Sequence, residues 1–214
     1  MHLKEAGIGE GISEVIVTTQ SVSSVPNAAP IGIITATNNN NSKDKDKDKD
    51  KDENENEYFV KLYEGSKTLS NVQETNKLAA NVTDDAVLFV KAAFENLNEA
   101  HFSLFAGLPV LNEANSWIIF ECILIEKKRE SGNFLFQLAP IALKINRKGV
   151  KAINRGRNAV IEAAILATRY VITADKREKE EIEKMMERYA DVIAKCGGRS
   201  EKVAFGILHA KTLH

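Results

Sequence analysis

A chain of 214 residues with 29 Lys and Arg against 30 Asp and Glu carries a formal net charge of −1. That length suits one domain, or one domain with an appendage, and can bury a sizeable core. The balanced charge excludes a general electrostatic footprint for nucleic acid or an acidic membrane.

Residues 1–10 read as a polar lead-in with Gly7 and Gly9 and no apolar signal core. Residues 12–19 predict a strand, with Ile12, Glu14, Ile16 and Thr18 on one face and Ser13, Val15, Val17 and Thr19 on the other. The β-branched run Val15-Ile16-Val17 favours it. A Ser-rich turn over 20–25 leads to a return strand over 27–35, completing a hairpin. Pro30 has no N–H and Gly32 no side chain, which fits a strand open to a ligand or an ordinary edge strand bulged at Gly32. Residues 38–57, NNNNSKDKDKDKDKDENENE, hold nothing that burial could use to offset ordering entropy. Lys and Asp alternate there and cancel, so a solvated, disordered insertion is expected rather than a nucleic-acid tail.

Residues 58–63 predict the third strand, followed by Gly65, Ser66, Lys67 and Thr68 and then a short helix over 68–76 with Leu69 and Val72 on one face. Helix-opening N–H groups lack internal partners and, with the helix dipole, favour an anion. Ser66 and Thr68 add hydroxyls and Lys67 a mobile cation, so the stretch suits a phosphate. The plainer alternative is an N-cap beside a solvated lysine.

A short strand over 78–82 precedes a helix over 85–94 capped by Asp84; residues 97–111 read as irregular. Residues 114–128 form a strongly apolar strand, 131–133 a turn, and 133–146 a last strand region broken at Pro140. Long apolar strands broken by turns suggest a closed barrel. From Lys148 the chain turns helical, with Gly149 at the start of the tail. The helix 158–172 is apolar nearly all round and must be covered, as the centre of a helical cluster or in a dimer interface. Asp175 and Glu178 have capping-box spacing. Ile182, Met185, Met186, Tyr189, Val192 and Ile193 give the next helix a packing face, Gly197-Gly198 ends it, and a last helix covers 201–213.

Two cysteines, Cys122 and Cys196, lie far apart with no C-x-x-C, as in a reduced, intracellular protein; Cys122, inside an apolar run, reads as core. No stretch is apolar enough to span a bilayer, and a soluble, cytoplasmic protein is expected. There is no G-x-S-x-G and no metal spacing among His2, His101, His209 and His214. Gly7-Ile8-Gly9 precedes a strand, the wrong setting for a dinucleotide fingerprint. Redox work would therefore need a bound cofactor. Asn154, Arg155, Arg157, Glu162 and Arg169 form a polar set read as caps and salt bridges, or as a substrate-pocket arginine.

GISEVIVTT, PNAAPIGI and GSKTLSNVQET, in that order, resemble the flavin reductase-like split-barrel proteins that bind FMN, above all the largely archaeal domain-of-unknown-function family 447. The resemblance implies a split β-barrel over 1–147, interrupted by the 38–57 insertion, and a C-terminal helical subdomain over 148–214. It implies FMN, with the phosphate at Ser66, Lys67 and Thr68, and Asn71 bonding phosphate or ribityl. The isoalloxazine would lie along Asn27, Ala28, Ala29, Pro30 and Ile31, with Thr18 and Thr19 on the neighbouring strand. It further implies a homodimer, NADH or NADPH as a donor, and flavin reductase chemistry; an FMN-binding electron carrier or a non-catalytic dimerisation module are the alternatives.

Overall fold

The computed structural model describes residues 3–9, 11–37, 56–128, 132–147 and 155–212. The expectations for residues 38–55, for Lys148 and Gly149 and for Asn154 fall outside these. The chain divides into two compact units, Met1–Val82 with Asn98–Arg147, and Thr83–Leu97 with Lys148–His214. The sequence suggests a single break after 147, but residues 83–97 pack with the C-terminal helices.

The first unit is a closed six-stranded barrel in the order β1-β2-β3-β8-β7-β4. Its strands are β1 (Gly11–Gln20), β2 (Pro26–Thr37), β3 (Asn56–Tyr63), β4 (Lys77–Val82), β7 (Ser116–Lys128) and β8 (Asn133–Ile145). Asn56 and Glu57, expected in the insertion, open β3. Alternation along each strand sends one set of side chains inward. Val15, Val17, Ile33, Val60, Leu62, Leu78, Ala80, Ile118, Phe120, Phe134, Phe136 and Leu138 form that core. Each large side chain fully buried there stabilises by roughly 1.5–3 kcal/mol relative to exposure. Cys122 belongs to the same core, and burial, aided by nearby Glu121, pushes its thiol up to about 12. It is a neutral packing residue.

One end of the barrel is plugged by helix α1 (Lys67–Thr75), which adds Leu69 and Val72 to the core. Leu3, Ala6 and Ile8 also enter it from a 3-10 turn over Leu3–Ala6 and the residues after it. Three spaced apolar residues gave the lead-in no periodicity, so its burial depends on tertiary contacts. The 97–111 segment is ordered as well. A 3-10 turn (Glu99–His101) precedes a hairpin of β5 (Phe102–Phe105) and β6 (Leu108–Leu111). Its two-residue turn has Ala106 at φ 47° and Gly107 at φ 82°. Both signs suit the primed hairpin turn, which Ala at the first position disguises. Pro140 does not break β8. The strand runs through it, and Ile141 is bulged between the pairs Phe120–Pro140 and Ile119–Ala142.

In the second unit, helix α2 (Ala86–Phe94) gathers with α3 (Arg155–Ile172), α4 (Lys176–Cys196) and α5 (Arg199–Thr212). Val160, Ala163, Ala164 and Ala167 of α3 are buried among Ala86 and Val90 of α2, Ile182, Met186 and Ile193 of α4, and Ala204 and Leu208 of α5. The cover that α3 requires thus comes from its own chain, as the centre of a helical cluster. Among its described apolar residues only Val171 and Ile172, in the last turn, stay exposed. Asp85, not Asp84, caps α2 by accepting from the N–H groups of Val87 and Leu88. Asp84 instead faces Arg157 at 3.8 Å. Asp175 caps α4, but the capping box is not closed: Glu178 bonds the Thr173 hydroxyl instead. Among the described residues no helix is long and apolar enough to cross a membrane.

Candidate functional site

The barrel is closed, yet one seam gapes. β2 pairs with β1 over its whole first half and beyond, from Pro26–Gln20 to Thr35–Gly11. Its ladder with β3 covers only Ile33 to Thr37. Among the described residues, residues 26–32 of β2 therefore have a strand on one side only. Residues 61–63 of β3 continue with β8 alone. In an antiparallel ladder, alternate residues turn both backbone groups away from the partner. Along 26–32 those groups face the gap. Pro30 lies within this open half, where no second strand asks for its missing N–H. Asn27, Ala28, Ala29, Pro30 and Ile31 are all partly exposed.

The gap leads to the start of α1. After Tyr63 the chain reverses at Gly65, φ 81°, a value that favours glycine, and the Ser66 N–H returns to the Tyr63 carbonyl at 3.2 Å. Ser66 caps α1: its Oγ accepts from the Leu69 N–H at 3.2 Å and donates to the Tyr63 carbonyl at 2.8 Å. The capping half of the two readings is thus real for Ser66. It does not exhaust the helix end. Among the described residues the backbone N–H groups of Lys67 and Thr68 meet no acceptor, and Lys67 is exposed with no ion pair. Two free N–H donors, a helix dipole and a cation point outward together.

Thr68 and Asn71 are buried, at 3 % and 8 % exposure, and tie α1 to the hairpin. Asn27 Nδ2 donates to Thr68 Oγ1 at 3.1 Å, across the gap. Asn71 Nδ2 donates to Thr19 Oγ1 at 3.0 Å. Ser66, Lys67, Thr68, Asn71, Thr19 and the 27–31 segment are therefore brought together. Thr18 is not. Its side chain lies on the other face of β1, donating to the Pro109 carbonyl at 2.5 Å and accepting from Asn81 Nδ2 at 2.9 Å. There it fastens the β5–β6 hairpin to the outside of the barrel.

One feature escaped the sequence reading, and one of the two readings of Gly32 fails. Asn81 is fully buried and satisfied: it also donates to the Ile16 carbonyl at 2.9 Å and accepts from the Leu111 N–H at 2.8 Å. An Asn within an otherwise apolar strand was its only signal. Gly32 is not a bulge, since the register runs evenly through Gly32–Glu14. A Cβ there would stand 2.6 Å from Cγ2 of Ile12. His101 and Arg157, both singled out in the sequence, are engaged elsewhere. His101 Nδ1 lies 2.8 Å from Glu113 Oε1, and among the described residues no group of three or more His, Cys, Asp or Glu could hold a metal. Arg157 is engaged with Asp84, as the salt-bridge reading of that polar set expects.

Residues 13–147 match a family model described as "Protein of unknown function (DUF447) N-terminal domain", and residues 154–210 match one described as "Protein of unknown function (DUF447)". An FMN-bound protein of Methanosarcina mazei is 35% identical in sequence, with 98% of this chain and 99% of that chain covered and a TM-score of 0.79. The styrene monooxygenase flavin reductase of Pseudomonas putida S12 is more distant, at 12% identity over 68% of this chain and 88% of that chain, with a TM-score of 0.46.

Proposed function

The chain belongs to the DUF447 family, and we propose that it is an FMN-binding flavoprotein of flavin reductase type, moving electrons between a nicotinamide or other donor and an acceptor. One observation carries the reading: the open half of β2 and the unpartnered N–H groups opening α1 face the same gap, in a chain 35% identical over nearly its whole length to an FMN-bound protein. The residues present fit the cofactor. The phosphate would be held by the Lys67 and Thr68 N–H groups, the Thr68 hydroxyl and the Lys67 ammonium, with Ser66 fixing the helix end and Asn71 behind it. A dianion at this place gains from the helix dipole and from charge-assisted hydrogen bonds. The isoalloxazine would lie along Asn27, Ala28, Ala29, Pro30 and Ile31, whose gap-facing backbone groups match its ring nitrogens and oxygens. Bound FMN supplies the electron transfer; this chain's part is to bind, orient and tune it.

The reading includes a cytoplasmic homodimer. With α3 covered, the surface offered to a second copy is the outer face of the barrel. Ile12, Ile34 and Phe59 stand opposite one another across the ladders there, and Ile12 is 64% exposed. A sedimentation mass of one chain at micromolar concentration, with flavin bound, would remove the dimer from the proposal.

Purified protein titrated with FMN should show a yellow, saturable complex, and anaerobic NADH or NADPH should bleach it. Saturable FMN binding without bleaching by either nucleotide points to an electron carrier. No binding at all overturns the proposal.

A further inference from the structure

Thr19 and Asn27 are partners on the β1–β2 ladder, and Thr68 and Asn71 are three apart on one face of α1. The two pairs meet in two bonds, Asn27 to Thr68 and Asn71 to Thr19, each from an amide N–H to a hydroxyl oxygen. Hairpin and helix each supply one Asn and one Thr. All of the α1 end of this join is buried, and Thr19 is fully so. A hydroxyl whose oxygen accepts still has its own hydrogen to give. Among the described residues no acceptor meets the Thr68 hydrogen, which sits beside the free N–H groups of Lys67 and Thr68.

We infer that these four residues form a two-bond clamp, in which Asn27 and Asn71–Thr19 are positioning residues that hold the first turns of α1 against the open half of β2, and Asn27 sets the Thr68 hydroxyl to donate to the ligand's phosphate. The inference rests on the FMN reading and assigns Asn27 and Asn71 a part that ligand status alone would not. Two loosely joined elements would each keep their own donors, yet a ligand spanning both would have to fix their separation on binding. A clamp fixes it beforehand, which is the energetic use of preorganisation. One bond acts at the ring-side strand and the other one turn further along the helix, so rotation of α1 about either bond is blocked.

The test is a double-mutant cycle of Asn27→Leu and Thr68→Val, read as the ratio of FMN to riboflavin affinity, with a melting curve for each apo-protein. Riboflavin lacks the phosphate, so the ratio isolates the phosphate's share. Thr68→Val should lower the ratio about tenfold, the worth of one good hydrogen bond. Asn27→Leu should lower it comparably, and the double variant no further, because Asn27 acts through Thr68. Thr68→Ser, which keeps the hydroxyl, should restore the wild-type ratio. Thr19→Val, at the second bond, should lower the ratio less, and serves if Asn27→Leu does not fold. Melting temperatures that fall with the ratio unchanged would overturn the clamp, as would effects that multiply in the double variant. A wild type that prefers FMN while no variant moves that preference defeats this inference alone. A wild type that binds neither flavin defeats the flavin reading as well.

Discussion

The two halves of β2 share one strand and one neighbour, β1, but differ in everything else. From Ile33 onward the strand also pairs with β3, and its inward residues, Ile33 and Thr35, are buried. From Pro26 to Gly32 that second ladder is missing and burial no longer alternates: every residue is intermediate. The closed half behaves as barrel wall. The open half keeps its shape through β1 and the Asn27–Thr68 bond, and among the described residues no second strand meets its other backbone groups. The difference teaches that the candidate site is opened by withdrawing a strand. Substitutions in the closed half should therefore act on stability, and those around the open half on ligand.

The largest effect is expected at the wall. Ile33→Ala removes a fully buried side chain from the core. It should destabilise by about 2–5 kcal/mol, with the FMN to riboflavin ratio of the folded protein unchanged. Chemical denaturation with parallel flavin titrations measures both. A changed ratio would mean that the halves are not separable.

Lys67→Ala should do the reverse. A charge-assisted contact to phosphate is worth roughly 1.5–3 kcal/mol, or about one to two decades in dissociation constant. An exposed lysine contributes under about 1 kcal/mol to stability. FMN affinity should drop by that factor, riboflavin affinity hardly at all, and the apo melting curve should stay put. Equal losses for both flavins would show that Lys67 meets no phosphate. An apo-protein that melts lower with FMN affinity kept would return the stretch to a plain helix cap.

The wall also holds a titration. Burial keeps the Cys122 thiol neutral up to about 12, whereas an unfolded cysteine loses its proton near 8.5. The unfolded chain is thus the first to gain from rising pH. Stability is intact below about pH 8.5 and falls between there and about 12, by up to about 1.4 kcal/mol per pH unit from this group. Cys122→Ala should flatten the slope that urea titrations show across that window. An unchanged slope would place the thiol nearer to water than the wall allows.

How much of this was legible follows the same division. Long apolar strands broken by turns announced a barrel, and the alternation of β1 and β3 announced those strands, because a wall strand's pattern is set by its own two faces. G-S-K-T before a helical period announced α1 and its cap for the same local reason. What stayed hidden depends on neighbours distant in sequence. Thr18 and Thr19 look alike in the sequence, but the β5–β6 hairpin takes one and α1 the other. Asp84 and Asp85 both fit a cap in the sequence; in the fold Asp85 takes the N–H groups of Val87 and Leu88 and Asp84 faces Arg157. The apolar surround of α3 demanded cover without saying whose; alanines facing three other helices of the same chain supply it. That β3 leaves β2 at Gly32 was legible only as one of two readings of Pro30 and Gly32, because an open strand and a bulged edge strand use the same residues.

Gly32 stands at the junction of the two halves, and its substitution carries the smallest expected effect with the sharpest sign. Two reasons for a glycine compete here: clearance from Ile12, or close approach of a ligand to the strand. A methyl group at Gly32 would meet Ile12 Cγ2 at 2.6 Å and Glu14 Oε1 at 3.5 Å. Ile12 is 64% exposed, so it can turn away, but β-branching leaves it few places to go. Forcing it off its rotamer costs about 0.5–1.5 kcal/mol. Against that, Gly→Ala in ordinary strand geometry stabilises by about 0.4–1 kcal/mol through the unfolded chain. Gly32→Ala alone should therefore be neutral to about 1 kcal/mol destabilising. In an Ile12→Ala background the clash is gone, and the same substitution should raise stability by about 0.4–1 kcal/mol. If clearance is the whole reason, flavin affinity in that double variant stays at the Ile12→Ala value. If the melting temperature rises while FMN and riboflavin affinity fall together, the glycine is kept bare for the ring, and the open half extends to its last residue.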